Sequence, residues 1–471
     1  LEGEIISGRT SVDESPITGE PMPVAKEPGS QVFAGTLNEE GLIEVSVSKP
    51  REESTLARII HLVEHVEESR APVERFVDRF ARIYTPVVVL GAALMAVIPS
   101  VIGLEGQWIY RSLVILIIAC PCALVIATPV AVVSGLTTAA RKGILVKGGL
   151  HLEQAAAVKA IALDKTGTVT EGRPTVSRIL PATESTEEDV LRIASSVESA
   201  STHPLAGAVM AEARRRGLHF SEPRDATVVN GGGISATVDG SRYHVAKPEF
   251  FAGRSGRERD FLERLGGATA IGVGTDKALL GLIEFEDEVR PAARHTLASL
   301  KSMGIRRSIL ITGDRGETAE KVAETIGVDQ YHADLLPDEK VDLVRRLKAD
   351  FDAVAMVGDG INDAPALAAA DVGIAMGAAG SDTAIDTADV ALMSDDIGRL
   401  VPLFRLAKRV RVITLENITI AIGIKAAFLV LAVYGTATMW MAVFADMGAS
   451  LIVIANALRL LSDRAAGLKG D

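Results

Sequence analysis

Twenty-nine consecutive residues, Ser112 to Ala140, carry no charged side chain, and Tyr84 to Leu104 is a second such run of 21. A helix of about 20 apolar residues crosses the hydrocarbon core of a bilayer, so both runs predict transmembrane helices, the longer one carrying prolines. A third apolar block, Asn417 to Leu458, has 42 residues. As one helix it would reach about 63 Å, roughly twice the hydrocarbon thickness, so it is expected to fold back at Tyr434-Gly435-Thr436. Four spans result. Arg70, Arg75, Arg79 and Arg82 precede the first, and Arg141, Lys142 and Lys147 follow the second. Lys408, Arg409 and Arg411 precede the last pair, with Arg459 and Arg464 after it. By the positive-inside rule these flanks, the soluble domains and both termini of the chain are expected on the cytoplasmic side.

Between the spans the text is soluble in character. The chain has 471 residues, 48% hydrophobic and 23% charged, with mean hydropathy +0.27, a mixture expected of spans alternating with soluble domains. Its formal net charge is −12 and no basic patch interleaved with aromatics occurs, which argues against a nucleic-acid partner. The chain begins at Leu1, inside what reads as a β-rich domain, and is expected to be a piece of a longer protein.

One soluble stretch carries chemistry. The apolar run Ala160-Ile161-Ala162-Leu163 ends in Asp164-Lys165-Thr166-Gly167-Thr168-Val169-Thr170. A strand ending in a carboxylate and a Gly/Thr turn puts that carboxylate at the carboxyl edge of a parallel sheet, where α/β folds bind ligands, so Asp164 is the candidate nucleophile. Ile309-Leu310-Ile311-Thr312-Gly313-Asp314 offers a hydroxyl and a Gly turn for phosphate oxygens. Lys340 can neutralise a transferring group. Val354 to Gly358 leads into Asp359-Gly360-Ile361-Asn362-Asp363, whose carboxylates are the hard oxygen ligands magnesium prefers. Phosphoryl transfer is mostly positioning and charge neutralisation, for which this set suffices.

Together these segments resemble the haloacid-dehalogenase-like phosphotransfer fold and, in their order and wording, a P-type ATPase. That resemblance implies ATP and magnesium as cofactors, with Asp164, Thr166 and Asp359 about the magnesium and Asp363 in support. Soluble phosphatases of the superfamily carry a second aspartate where this chain has Thr166, so the aspartyl phosphate is expected to persist until another domain hydrolyses it. Asp13-Glu14-Ser15-Pro16-Ile17-Thr18-Gly19-Glu20-Pro21 reads by itself as a charged loop. It is also similar to the Thr-Gly-Glu loop of the family's actuator domain, which makes Glu20 the second catalytic carboxylate. Pro21 departs from the serine usual there. Ser199-Ala200-Ser201-Thr202-His203-Pro204 and Val228-Val229-Asn230-Gly231-Gly232-Gly233 read as turns. In their place they resemble the nucleotide-binding domain of heavy-metal-transporting members, which implies that Glu198 and His203 contact adenine while Gly231 and Gly233 admit the nucleotide.

The two cysteines of the chain, Cys120 and Cys122, flank Pro121 near the middle of the second span. On a regular helix residues two apart point about 200° from each other, but a proline removes a backbone hydrogen bond and lets both sulfurs turn to one side. Thiolates select zinc, cadmium, lead or copper(I) over hard cations. A buried pair of small apolar cysteines is the plain alternative. Lys425 and Asp446 in the last hairpin are the other ionisable groups at depth, and apart from a snorkelling lysine such groups are functional candidates. Two thiolates and Asp446 are neutralised by a divalent ion with Lys425, whereas copper(I) leaves one negative charge in low dielectric.

The block resembles the zinc/cadmium/lead subgroup of the heavy-metal-transporting P-type ATPases. It lacks the Tyr-Asn and Met-Ser-Ser patterns of copper pumps and the Ser-Pro-Cys of the cobalt-like subgroup. The expectation is a multidomain membrane protein with an α-helical transmembrane bundle, in five parts. These are a partial β-rich actuator domain (1–55); a linker helix and two spans (56–140); a haloacid-dehalogenase-like α/β phosphorylation domain (141–175 and 285–400); an α+β nucleotide-binding domain (176–284); and two further spans (401–471). The implied function is export of zinc-like cations through an aspartyl phosphate, with copper(I) as the alternative ion. The implied setting is a monomer in the lipid bilayer of a bacterial inner membrane.

Overall fold

The computed structural model describes residues 2–13, 24–38, 42–50, 72–104, 106–182, 185–201, 203–229, 233–251, 269–359, 363–377 and 386–462. It divides into two compact units, one made of Leu1–Ile161, Ala298–Arg306 and Val341–Asp471, the other of Ala162–Leu297 and Arg307–Lys340.

In the first unit the amino-terminal segment is all β. Strands β1 (Glu2–Ser7), β4 (Gln31–Val32) and β6 (Glu44–Lys49) form one small antiparallel sheet. Strands β2 (Thr10–Asp13), β3 (Val24–Lys26) and β5 (Leu37–Asn38) form another. The predicted Thr-Gly-Glu loop with Glu20 lies outside the described residues, as does the expected linker helix up to residue 71.

Helix α1 (Pro72–Val101) opens on a proline, whose missing N–H costs nothing in a first turn. Helices α2 (Trp108–Ala119) and α3 (Cys122–Ala140) divide the long charge-free run at Cys120 and Pro121. The last two helices, α11 (Leu400–Val433) and α12 (Met439–Leu458), form the expected hairpin, turning at Tyr434 and at Gly435 with φ +77°. Helix α11 starts well before Asn417, because Lys408, Arg409 and Arg411 favour helix as readily as the apolar residues beyond them. Among the described residues, four segments are long and apolar enough to cross a membrane: Arg79–Pro99, Trp108–Ala140, Ile397–Ala432 and Met439–Leu461. The protein is an integral membrane protein.

Also in this unit, β7 (Ile144–Val146) and α4 (Gly149–Ala157) lead to β8 (Ala160–Asp164), which begins here and ends in the second unit. Strands β17 (Val354–Gly358), β18 (Val372–Ala375), β19 (Val390–Leu392) and β7 lie side by side in that order. The β17–β18–β19 pairings are parallel and β19–β7 is antiparallel. All five residues of β17 are buried, as a strand covered on both faces requires.

In the second unit β15 (Arg307–Ile311) pairs in parallel with β16 (Gln330–His332); in chain order helix α7 (Ala292–Ser302) precedes β15, α8 (Gly316–Ile326) separates the two strands and α9 (Pro337–Asp350) follows. An antiparallel six-stranded sheet fills the rest, in the order β10 (Arg224–Val228), β11 (Gly233–Val238), β12 (Ser241–Ala246), β13 (Thr269–Gly274), β14 (Leu279–Val289) and β9 (Thr170–Pro181). Helices α5 (Glu187–Glu198) and α6 (Pro204–Arg215) pack on it through Val190, Ile193, Val197 and Val209. A capping box between Thr186 and Asp189 starts α5.

Candidate active site and metal centre

Asp164 ends β8, where the chain leaves the sheet through one wide turn, Lys165–Val169. Gly167 makes that turn possible at φ +72°, a conformation other residues adopt at a cost. Asp164 is only 6% exposed, and Lys340 Nζ donates to its Oδ1 at 2.6 Å. Such a charge-assisted contact keeps the carboxylate aimed. Lys165 forms an ion pair with Asp314. Thr312, 2% exposed at the end of β15, accepts the Asp314 N–H on its Oγ1 at 3.0 Å. Gly313 sits where a Cβ would come within 3.2 Å of the Leu335 carbonyl, so the loop keeps a bare backbone there. Thr166 is exposed. Asp164, Thr166, Thr312, Gly313, Asp314 and Lys340 thus belong to one unit, supplied by two strand-end loops and the first turn of helix α9 (Pro337–Asp350).

Two partners of this site escaped the sequence reading. Arg290 Nε donates to the carbonyls of Thr168 and Thr170, both at 3.0 Å, and its Nη2 to that of Gly167 at 3.3 Å. Thr170 Oγ1 donates to Asp287 Oδ2 at 2.5 Å. The end of β14 therefore clamps the turn that carries the nucleophile. The run Asp287-Glu288-Val289-Arg290-Pro291, charges closing an apolar strand ahead of a proline, was the available signal.

Asp359 follows β17 in the first unit, and Asp363, 2% exposed, precedes α10 (Ala364–Ala369). Gly360, Ile361 and Asn362 lie outside the described residues. The two carboxylates are hard oxygen donors of the kind magnesium takes, and their chemistry fits that ion.

In the antiparallel domain, Glu198 ends α5 at 6% exposure, and burial pushes its carboxyl up to about 7 against the opposing pull of a hydrogen bond with Ser201. His203 caps α6, its Nδ1 accepting the Leu205 N–H at 3.2 Å. At Gly233, φ is +155° and a Cβ would lie 2.4 Å from the Val245 carbonyl oxygen, so no larger residue fits. Gly231 lies outside the described residues.

The membrane segments hold a separate cluster. Between α2 and α3 the helical hydrogen bonding lapses, Cys120 being extended at φ −58°, ψ 125°. The break lets Cys120, Cys122 and Asp446 bring one donor atom each within 4.8 Å of one another. Lys425 Nζ donates to Asp446 Oδ1 at 2.9 Å, to the Ile118 carbonyl at 3.2 Å and to the Cys120 carbonyl. The broken helix thus supplies the acceptors that keep the ammonium satisfied at depth. One expectation is corrected. The sequence reading took Cys120 and Cys122 as two thiolates, and the structure joins them in a disulfide. The same break that turns both sulfurs to one side puts them within bonding reach, and only the reduced pair offers two thiolate donors.

Comparison with known proteins gives these features a common context. A family model for the haloacid dehalogenase-like hydrolases matches residues 158–371, and one for the P-type ATPase actuator domain matches 1–64. A probable cadmium-transporting ATPase of Listeria monocytogenes is 44% identical over 98% of this chain and 67% of its own length. A probable cadmium-transporting ATPase of Staphylococcus aureus (strain MRSA252) is 44% identical over 98% of the chain. The zinc/cadmium/lead-transporting P-type ATPase of Escherichia coli (strain K12) is 41% identical over 98% of the chain. The chain spans 65% of the Staphylococcus protein and 63% of the Escherichia protein. A crystal structure of a zinc-transporting PIB-type ATPase in its E2.Pi state superposes with a TM-score of 0.73 at 41% identity, over 98% of this chain and 76% of that one.

Proposed function

The chain belongs to the P-type ATPase family, and from that premise we propose that it drives export of zinc-like divalent cations, zinc, cadmium or lead, through an aspartyl-phosphate intermediate. The observation that carries the ion assignment is the convergence of Cys120, Cys122 and Asp446 within 4.8 Å, with Lys425 2.9 Å from Asp446. Two thiolates and a carboxylate suit a soft or borderline divalent cation, and Lys425 completes neutrality. Copper(I) is less favoured, because it leaves a negative charge in low dielectric and because the named relatives are cadmium, zinc and lead transporters.

The cargo ion binds the reduced sulfurs and Asp446, releasing Lys425. ATP is held with its adenine near Glu198 and His203, beside the glycine run at Gly231 and Gly233. An Asp164 carboxylate oxygen attacks the γ-phosphorus and ADP departs. Lys340 offsets the charge, while Thr312, Gly313 and Asp314 orient the phosphate oxygens. Oxygen donors of Asp164, Thr166 and Asp359, with Asp363 in support, would hold magnesium, which would supply further charge neutralisation on the phosphates. With Thr166 in place of a second aspartate, no neighbouring acid releases the phosphate, and Glu20 directs the water that does. Phosphorylation and hydrolysis favour different states of the ion site, and Lys425 re-pairs with Asp446 as the ion leaves. The setting is a bacterial inner membrane, with a monomer whose soluble domains face the cytoplasm.

Sealed inverted membrane vesicles carrying the intact protein test this reading. ATP-driven zinc uptake is expected, and it disappears with Asp164→Asn and with Cys120→Ala. Uptake that survives both substitutions contradicts it.

A further inference from the structure

The donor cluster lies between two apolar layers. Val114 and Ile118 on α2, Ala432 on α11 and Ala442 on α12 form one buried layer, with Phe428 packed on it. Ala123 and Ala127 on α3, Ala421 on α11, and Ala449 and Val453 on α12 form the other. Along the helices the first layer precedes Cys120, follows Lys425 and precedes Asp446; the second lies on the opposite side of all three. An ion at the donors is thus shielded in both directions along the bundle, and each layer is a barrier it crosses only when the helices part.

Beyond the first layer is a cavity of about 320 Å³, lined by Val114 and Ala432 of the layer and by Gln107, Tyr110, Arg111 and Gly435. Arg111 is the charged group among its described lining residues. Its guanidinium lies 5.3 Å from the Trp108 ring centroid. A Cβ at Gly435 would come within 3.3 Å of that guanidinium, so the glycine that makes the hairpin turn also leaves the arginine its space. The Tyr110 hydroxyl accepts the Met439 N–H at 2.9 Å, fixing the cavity wall to the start of α12.

We infer that this cavity is the exit vestibule for the transported cation and that Arg111 is an electrostatic valve in it. The inference rests on the reading of the chain as an outward pump. A divalent ion that passes the first layer meets a fixed positive charge, which shortens its stay and disfavours the return of ions already outside. Charges in a low-dielectric mouth alter local ion concentrations by about 10- to 1000-fold. A water-filled vestibule belongs at the low end of that range.

The test uses the intact protein in sealed inverted vesicles, preloaded with graded zinc in the lumen. ATP-driven uptake of tracer zinc is measured relative to each variant's own rate without luminal zinc. In Arg111→Ala the luminal zinc that halves uptake is expected to fall about tenfold, while Arg111→Lys, which keeps the charge, stays close to the unmodified protein. ATP-driven uptake with equal luminal inhibition in all three proteins overturns the valve alone. Equal loss in Arg111→Ala and Arg111→Lys also overturns it, by assigning Arg111 to packing or to lipid phosphate geometry. Absence of any ATP-driven uptake by the unmodified protein overturns the pump reading and the valve with it.

Discussion

Lys425 and Asp446 meet at 2.9 Å across the two arms of the α11–α12 hairpin, 21 positions apart in the chain. Each side chain keeps under a fifth of its surface exposed, 19% and 18%, so the pair is held where charges are expensive. Breaking a fully buried pair costs about 3–5 kcal/mol, and the residual exposure here lowers that figure. Lys425→Met and Asp446→Asn are each expected to lower the thermal midpoint of the purified protein, and the double variant to recover part of the loss. Additive losses in that double-mutant cycle would show that the two groups do not interact. Only Asp446→Asn should also abolish stoichiometric zinc binding.

Arg290 is bound to three carbonyls of the turn that carries Asp164, and lysine lacks the planar fork that reaches them together. Arg290→Ala and Arg290→Lys are both expected to slow phosphoenzyme formation by about a hundredfold, the scale on which small misplacement of a reacting group acts. Rapid-quench measurement of acid-stable phosphate decides it, and a Lys variant at full rate would reduce Arg290 to a general positive charge.

Burial raises the Glu198 carboxyl from 4.5 to about 7, so in the folded protein it holds its proton over a range where the unfolded chain releases it. Its contribution to stability is therefore fully present below about pH 4.5 and is lost as pH rises towards and through 7. A shift of this size corresponds to about 3 kcal/mol. Glu198→Gln should match the unmodified protein in acid and melt at higher temperature above pH 7, and its nucleotide affinity should lose the dependence on pH between about 6 and 8. Parallel melting curves for the two proteins across that range would contradict the assignment.

On the proposed reading Cys120 and Cys122 ligate the cargo as thiolates, so binding requires the reduced pair. A thiol oxidant is expected to remove zinc-stimulated ATP hydrolysis by the intact protein and dithiothreitol to restore it. Full zinc stimulation of the oxidised protein would sink the thiolate-ligand account.

What could be read in advance was what local chemistry encodes. The buried strand before Asp164, the left-handed Gly167 and the proline between the cysteines each act over a few residues, so their consequences are visible in a short stretch of text. Arg290 was missed because its partners lie more than 115 residues earlier, and nothing local says that an arginine after a strand will reach back to a turn. The disulfide was missed for a different reason: two sulfurs brought together by a helix break can be a ligand pair or a bond, and residue spacing does not choose. The start of α11 at Leu400 was hidden by the habit of ending a span where charges begin, although a helix continues through charged residues without penalty.

The most direct measurement is acid-stable labelling of the intact protein in membranes by ATP carrying a labelled γ-phosphate. It is run with zinc, cadmium, lead, copper(I) or chelator, beside Asp164→Asn and Cys120→Ala. The account requires label that depends on a soft divalent ion under reducing conditions and is lost in both variants. Label supported by copper(I) alone would transfer the assignment to that ion, and the absence of Asp164-dependent label under every condition would contradict the pump itself.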